Sequence, residues 1–253
     1  EFGGAQLPLT VQSASMAYVA AGSLAAYAYP LLSGANANLL IAHGTPDQIE
    51  TYAAPILQGR WFGTMCLSET QAGSSLGDIA TMAVPQDDGS YRLSGSKMWI
   101  SGGEHDLAEN IVHLVLARTP DAPAGSKGLS LFIVPRLLPD GSGGVGERND
   151  VALAGLNHKM GYRGTTNTLL AFGGGAHLPR GKAGAVGFLV GERNAGLPIM
   201  FQMMNEARIV VGLGAAALCY TGYLHSLAYA RERPQGRAGR ASDPGSPPSL
   251  IID

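Results

Sequence analysis

Two short segments of the sequence concentrate polar groups that could hold one flat ligand. Residues 66–75 have the sequence Cys-Leu-Ser-Glu-Thr-Gln-Ala-Gly-Ser-Ser, which offers hydroxyls and backbone amides around a glycine turn. Residues 97–103 have the sequence Lys-Met-Trp-Ile-Ser-Gly-Gly, which brings an indole and a hydroxyl together. Amides and hydroxyls can donate to oxygens or ring nitrogens, and an indole can pack on a planar ring. Each segment alone could be an ordinary polar turn, but together they predict a site for a planar ligand.

Short β-type runs must position these two segments. Alternation of apolar residues and intervening turn residues predict strands at 61–67, 79–85, 91–93, 97–101, 111–118, 129–135 and 165–172. The turn Asp-Asp-Gly-Ser at 87–90 is typical of a hairpin, because its glycine can take a positive φ. We therefore predict a middle β-barrel or sandwich of roughly 130 residues.

Helical patterns flank this β region. Residues 11–60 are rich in Ala, Leu and Tyr, and Thr45 followed by Pro46 is a helix-start signal. After Pro198, residues 209–230 contain no Asp, Glu, Lys or Arg, so this stretch is long and apolar enough to cross a membrane. Its tyrosines, His225 and its Ala/Gly-rich composition favour the alternative, a buried helix of a helical bundle. We predict no membrane span.

Composition excludes several classes of protein. The chain has 253 residues, 36 glycines, 14% charged residues and a net charge of −2. Such a composition is typical of a close-packed globular protein, and the absence of a basic excess argues against nucleic acid as a partner. Two cysteines without metal-ligand spacing predict reduced thiols and a cytoplasmic location.

The other chemically suggestive residues have structural interpretations. The six histidines lack His-x-x-x-His spacing, and we predict no metal site. The glycine-rich stretch at 141–146 lacks the Lys-Ser/Thr pair of a phosphate loop. Met200, Met203 and Met204 are interpreted as core filling, and Cys66 has no neighbour in sequence that would activate a thiol.

The two segments at 66–75 and 97–103 resemble the flavin-binding signature loops of the acyl-CoA dehydrogenase family. Four further segments resemble that family in the same order: His-Gly-Thr-Pro-Asp-Gln at 43–48, Lys-Met-Gly-Tyr-Arg-Gly-Thr at 159–165, Asn-Glu-Ala-Arg at 205–208 and Arg-Glu-Arg-Pro-Gln-Gly-Arg at 231–237. The resemblance covers nearly the whole chain. Residues 101–110 and 205–208 are most similar to the long-form branch of the family.

The resemblance implies an α+β multidomain fold with three parts. Residues 1–61 would be the end of an α-helical N-terminal domain, residues 62–197 a middle β-barrel domain, and residues 198–253 the first helix and linker of a C-terminal helical bundle. We expect the rest of that bundle to be missing from these residues.

The resemblance also implies FAD as the cofactor and an acyl-CoA as the substrate. The residues that would contact FAD are Met65, Cys66, Leu67, Ser68, Gly73, Ser74, Trp99, Ile100 and Ser101, with Arg233 and Gln235 reaching the FAD of a neighbouring subunit. The residues that would contact the substrate are Ser74, Asn205, Glu206 and Arg208. A homodimer or homotetramer and an electron-transferring flavoprotein as electron acceptor follow from the same likeness.

The implied reaction is α,β-dehydrogenation of an acyl-CoA thioester to a trans-2-enoyl-CoA. A carboxylate must remove the α-proton while hydrogen bonds stabilise the developing enolate. One branch of the family places this base at the position of Ala207. Glu206 is displaced from it by about 100° around the helix and should point elsewhere, so we expect the catalytic glutamate to lie outside this chain.

Two alternatives to a dehydrogenase remain open. An acyl-CoA oxidase would let oxygen reach the reduced flavin. A non-catalytic flavin- or acyl-CoA-binding protein would keep the fold without the base, and these residues alone fit it better than an active enzyme.

Overall fold

The computed structural model describes residues 3–237, 245 and 247–252. Residues 1, 2, 238–244, 246 and 253, which belong to the predicted terminal segments, lie outside the described residues. The chain divides into two compact units. The first contains the residues up to Gln6 together with Leu24–Ile209, and the second contains Leu7–Ser23 and the residues from Val210 onward.

The first unit begins with a helical region. It contains α2 (Leu24–His43), α3 (Pro46–Gln48) and α4 (Ala54–Leu57), with a π-helical turn at Ile49–Ala53. The predicted helix start is confirmed, because Thr45 Oγ1 accepts a hydrogen bond from the Gln48 amide at 3.2 Å and Pro46 stands at the first position. Gln48 Oε1 in turn accepts a hydrogen bond from the Thr45 amide at 3.1 Å. The two bonds together form a capping box.

Ten strands follow α4 in the part of the chain that the structure describes. They are β1 (Trp61–Cys66), β2 (Met82–Pro85), β3 (Tyr91–Ser101), β4 (Asn110–Arg118), β5 (Leu129–Pro135), β6 (Leu137–Pro139), β7 (Val145–Arg148), β8 (Val151–Leu156), β9 (Asn167–Phe172) and β10 (Ala185–Val190). Short 3₁₀ turns lie at Leu76–Asp78, Ser126–Gly128 and Pro179–Gly181.

The strand pairing closes a small barrel. The main sheet has the order β1-β4-β5-β10-β3-β9-β8, and β2 pairs with both β3 and β4. Strands β4, β5, β10, β3 and β2 therefore form a ring, from which β1 extends at one side and β9 and β8 at the other. β1 runs parallel to β4, with Trp61 opposite Asn110. The predicted barrel is confirmed.

Two clusters of buried side chains stabilise the first unit. One joins the helical region to the barrel through Leu39, Leu40 and Trp61, and it includes Ile199 and Met200 near the start of the last helix. The other fills the barrel and contains Cys66, Leu93 and Phe132. Burial of these apolar side chains is the main favourable term in folding.

The second unit contains α1 (Leu9–Gly22) and the later part of α5 (Gly196–Glu232), a helix that begins in the first unit. Beyond α5, Pro234 and Leu250 form an isolated antiparallel bridge. Among the described residues, α5 is the one helix long and apolar enough to cross a membrane, and 6% of its most apolar window is buried. A core helix of a soluble protein also meets these criteria of length and composition, so the finding assigns no membrane.

Candidate active site

The ends of β1 and β3 are joined at the two signature segments. The Met98 amide donates a hydrogen bond to the Ser68 carbonyl oxygen at 2.9 Å. The β1–β2 loop (residues 67–81) starts immediately after Cys66, and Met98 lies within β3. The two segments singled out from the sequence are therefore in direct contact.

A β-bulge sets the position of Trp99. The register between β3 and β9 shifts between Lys97 and Ile100, and Trp99 has a φ of 65°. A positive φ is uncommon for a residue other than glycine, and bulges re-aim side chains near functional sites. The Trp99 side chain is 50% exposed, and Lys159 Nζ lies 5.6 Å from the centroid of its ring.

The two segments and the start of α5 line an open cavity of about 520 Å³. Its walls are largely apolar, and Arg208 is the charged residue among those that line it. The lining residues are Met65, Leu67, Ser68, Gly73, Ser74, Leu76, Met98, Trp99, Ile100, Phe201, Met204 and Arg208. A largely apolar cavity with a few polar groups and an exposed indole suits a flat heterocycle. We call it the Trp99 cavity.

Eight of the predicted cofactor and substrate residues line the Trp99 cavity. They are Met65, Leu67, Ser68, Gly73, Ser74, Trp99, Ile100 and Arg208. They come from the end of β1, the β1–β2 loop, the β3 bulge and α5, so the fold gathers residues that are more than 100 positions apart in sequence.

Two of the FAD contacts predicted within the same subunit do not line the Trp99 cavity. Cys66 is buried in the barrel core, and burial raises the pKa of its thiol to about 12, against the opposing effect of a hydrogen bond with Thr64. Ser101 Oγ accepts a hydrogen bond from Asn167 Nδ2 at 3.2 Å. For Cys66 or Ser101 to contact a ligand in the cavity, the contact would have to come from atoms other than their side-chain sulfur and oxygen, or the residue would have to move.

The predicted substrate residues Asn205 and Glu206 lie beside Arg208 but outside the lining of the cavity. Asn205 Oδ1 accepts a hydrogen bond from Arg208 Nη1 at 2.9 Å, which restricts the guanidinium. Glu206 Oε2 accepts from Asn38 Nδ2 of α2 at 3.0 Å. The glutamate is thus engaged by the helical region, in the direction expected from its displacement around the helix.

Arg233 and Gln235 lie in the second unit, after α5. Both residues are exposed, and the Gln235 amide donates to the Ser249 carbonyl at 2.7 Å. Their proposed contact with a neighbouring subunit concerns a chain that the structure does not contain, so it stays a prediction.

Four lining residues were not predicted as site residues. Leu76 and Met98 are parts of the predicted loop and strand, whereas Phe201 and Met204 lie on α5. Met204 packs against the first cluster of buried side chains, as its interpretation as core filling expects, and it also lines the cavity. The spacing 201, 204, 208 places three side chains on one face of a helix, and this signal could have linked them to Arg208.

A larger cavity lies elsewhere in the first unit. It has a volume of about 980 Å³ and lies between the helical region and the turn after β6, with Glu50, Arg60 and Gly143 in its lining. It contains no residue of the two signature segments. Within the described part of the chain, no group of three His, Cys, Asp or Glu side chains is placed to hold a metal ion.

Comparison with known proteins agrees with the geometry. Residues 64–173 match the family model for the acyl-CoA dehydrogenase middle domain. The 3-methylmercaptopropionyl-CoA dehydrogenase of Ruegeria pomeroyi is 44% identical over 245 residues, which cover 96% of this chain and 40% of the relative. Residues 64–173 therefore belong to the acyl-CoA dehydrogenase middle-domain family, and the chain spans less than half the length of that curated relative.

Two solved structures share the fold. The butyryl-CoA dehydrogenase of Megasphaera elsdenii has a TM-score of 0.74 at 22% identity, covering 92% of this chain and 56% of that chain. A structure described as an electron transferring flavoprotein of Acidaminococcus fermentans has a TM-score of 0.77 at 23% identity, with the same two coverages. At these identities the likeness shows the fold alone, and it confirms the predicted fold class.

Proposed function

We propose that the protein carrying this chain catalyses the FAD-dependent α,β-dehydrogenation of an acyl-CoA to a trans-2-enoyl-CoA. The observation that carries the proposal is the Trp99 cavity, in which residues of the two signature segments meet. The named dehydrogenase that is 44% identical supports the substrate class. The acyl chain length and branching are left open.

The residues of the Trp99 cavity fit the isoalloxazine of FAD. Trp99 supplies an exposed aromatic face, while Met65, Leu67 and Ile100 supply apolar walls. Ser68 and Ser74 add hydroxyls that can donate to ring heteroatoms or to a thioester oxygen. When bound, FAD would accept the hydride that leaves the β-carbon of the substrate.

Arg208 gives the cavity a positive charge. The positive charge of its guanidinium can stabilise negative charge that develops on the substrate. Asn205 holds one end of this group at 2.9 Å. We propose that Arg208 orients the acyl-CoA, with Asn205 as its positioning partner.

The α-proton must go to a carboxylate outside this chain. Glu206 is hydrogen-bonded to Asn38 and does not line the cavity, while the position used by one branch of the family is Ala207. The same observation favours a second candidate function, a flavin- or acyl-CoA-binding protein without catalysis.

Several finer predictions belong to this proposal. An electron-transferring flavoprotein is the proposed electron acceptor, and a homodimer or homotetramer the proposed assembly, with Arg233 and Gln235 at the neighbouring subunit's FAD. The domain boundaries at residues 61/62 and 197/198 stay part of the proposal. For the C-terminal domain, the support is that α5 exposes apolar side chains such as Val211, Leu218 and Leu224, which suit a helical bundle. A cytoplasmic location remains a prediction.

Anaerobic addition of acyl-CoA to the FAD-loaded protein, expressed from its complete reading frame, tests the reaction. We expect at least one acyl-CoA, in a series from short to long acyl chains, to abolish the absorbance of the oxidised flavin. Bound FAD that no acyl-CoA reduces would leave the non-catalytic function in its place. Stoichiometric peroxide during aerobic turnover would instead identify an oxidase.

A further inference from the structure

A buried lysine joins the two walls of the Trp99 cavity without lining it. The Lys97 side chain is fully buried. Its Nζ donates to Glu69 Oε1 at 2.8 Å and to the Leu67 carbonyl at 3.0 Å. Lys97 thereby connects β3 to the first residue of the β1–β2 loop.

Glu69 binds residues at the other end of the same loop. The side chain of Glu69 is 3% exposed. Its Oε2 accepts from the Ala80 amide at 2.8 Å and from Gln71 Nε2 at 2.6 Å. Its Oε1 accepts from the Thr81 amide at 3.1 Å and from Thr81 Oγ1 at 2.5 Å, besides Lys97. One carboxylate therefore holds positions 69, 71, 80 and 81 of the loop against β3.

The sheet itself does not bring these walls together. β1 pairs with β4, and β3 pairs with β10, β9 and β2, so β1 and β3 are not hydrogen-bonded neighbours. The hydrogen bonds that link β3 to the residues directly after β1 include the bond from Lys97 Nζ to the Leu67 carbonyl and the bond from the Met98 amide to the Ser68 carbonyl. Trp99 follows directly after this link.

We propose that the Glu69–Lys97 pair is the positioning element of the Trp99 cavity. It fixes the β1–β2 loop, which carries Ser68, Gly73 and Ser74, relative to the β3 bulge, which carries Trp99. The inference rests on the proposed function, because it concerns a flavin in the same cavity.

A role in positioning explains why charges are retained in this core. Removing two charges from water costs free energy that their attraction only partly offsets, so a buried ion pair is weak evidence for stability. Here Lys97 donates to the Leu67 carbonyl, and Glu69 accepts from the amides of Ala80 and Thr81, so the pair is bonded to the backbone at both ends of the loop. Neither residue faces the cavity, and both act through Leu67, Ser68, Met98 and the loop.

The test compares four variants of the protein, expressed from its complete reading frame. They are Glu69→Gln, Lys97→Met, the double variant E69Q/K97M and the control D88N/R180Q, which removes the exposed pair Arg180–Asp88 at 2.6 Å. Two quantities are measured: the dissociation constant for FAD, and the hydrogen-exchange rate of the Met98 amide without FAD.

The double variant separates positioning from stability, because it leaves no uncompensated charge. We expect it to unfold near the temperature of the unmodified protein, to bind FAD about tenfold or more weakly, and to exchange the Met98 amide about tenfold faster. The single variants should show the same losses together with a lower unfolding temperature. The control should change neither quantity.

An unchanged dissociation constant and an unchanged Met98 exchange rate in the double variant would overturn the positioning role. Thr81→Val, which removes one donor to Glu69, supplies a milder variant if the others do not fold, and an unaltered FAD affinity there would count equally against it. Failure of the unmodified protein to bind FAD would instead overturn the proposed function, and the exchange of the Met98 amide would still report on the pair.

Discussion

The amide of Met98 and the carbonyl oxygen of Ser68, 30 positions apart in the sequence, are hydrogen-bonded at 2.9 Å. This bond joins two segments that look like ordinary polar turns in isolation, and the two form walls of the Trp99 cavity. The proposed flavin site depends on that contact, because Ser68 lies in the loop after β1 and Trp99 lies in β3, and the sheet does not pair β1 with β3.

Trp99 should report FAD binding through its fluorescence. The protein has two tryptophans in this chain, and Trp61 is buried away from the cavity whereas Trp99 lines it. Trp99→Phe should remove most of the fluorescence quenching caused by FAD and weaken binding about two- to tenfold, as expected for loss of an aromatic contact. Quenching that survives in this variant would place the flavin elsewhere.

Arg208→Gln should weaken acyl-CoA binding about tenfold or more, because it removes the positive charge of the cavity. Arg60→Gln is the matched control, since Arg60 lines the larger cavity. Isothermal titration calorimetry with an acyl-CoA that cannot be oxidised measures the dissociation constant of each variant. Equal losses in the two variants, or a loss confined to R60Q, would contradict the assignment of the substrate to the Trp99 cavity.

Glu206→Gln should leave flavin reduction by acyl-CoA within about twofold of the unmodified rate, because Glu206 is bound to Asn38 and is not the proposed base. Loss of the charged acceptor should reduce the free energy of unfolding by about 1 kcal/mol. Stopped-flow measurement of flavin reduction checks the first expectation and urea unfolding the second. A reduction rate lowered about a thousandfold would identify Glu206 as the base after all.

His113 should make folding sensitive to mild acid. Burial lowers the pKa of His113 to about 3 from an ordinary value of 6.5, and its Nδ1 lies 2.8 Å from Thr64 Oγ1. Below pH 6.5 the unfolded chain binds a proton that the folded chain does not, so the free energy of unfolding falls as the pH falls from 6.5 towards 3. At pH 5 the loss should be about 2 kcal/mol.

His113→Gln removes this titration. Urea unfolding at pH 7 and pH 5 should show a smaller pH dependence in the variant than in the unmodified protein. An identical dependence in both would mean that other groups, such as the carboxylates with lowered pKa values, account for all of it.

Gly95 should resist substitution more than another strand glycine. Its φ is 149°, and a Cβ there would lie 2.5 Å from Thr81 Oγ1 and 2.9 Å from the Thr81 Cα. Gly95→Ala should lower the free energy of unfolding by about 2 kcal/mol through strain and displacement of Thr81. Gly155→Ala in β8, where the added Cβ meets nothing within 4 Å, should cost less, and equal costs would contradict this explanation.

The barrel was predictable where apolar runs are uninterrupted. The runs at 111–118 and 129–135 correspond to β4 and β5, and the run at 61–67 to β1. The segments at 91–93 and 97–101 were predicted as two strands, but they form the single strand β3, because Gly95 accommodates the close approach of Thr81. Strand β2 begins at Met82 rather than 79, since Glu69 binds the amides of Ala80 and Thr81.

Strands β8 and β10 were missed for a local reason. Val151–Leu156 contains a glycine, two alanines and one β-branched residue, so its propensity for strands is weak. Ala185–Val190 contains two valines and a phenylalanine, but Gly187 interrupts the run. Pairing with β9 in one case and with β5 and β3 in the other stabilises them. Such tertiary pairing leaves no signal in a single sequence.

The residues that line the candidate site were predictable from the sequence, but the hydrogen bonds that hold them in position were not. Family resemblance located Ser68, Trp99 and Arg208, whereas the partners of Glu69 and Glu206 depend on contacts between distant elements. No spacing in the sequence indicates that Lys97 reaches the Leu67 carbonyl or that Asn38 of α2 binds Glu206.

Hydrogen exchange with and without FAD tests the central claim most directly, because it compares the two cavities in one experiment. The account predicts that FAD slows exchange in peptides covering residues 65–76 and 97–101 and leaves peptides covering residues 46–58 and 139–144 unchanged. Slowed exchange at 46–58 and 139–144, with residues 65–76 and 97–101 unaffected, would contradict the assignment of the flavin to the Trp99 cavity.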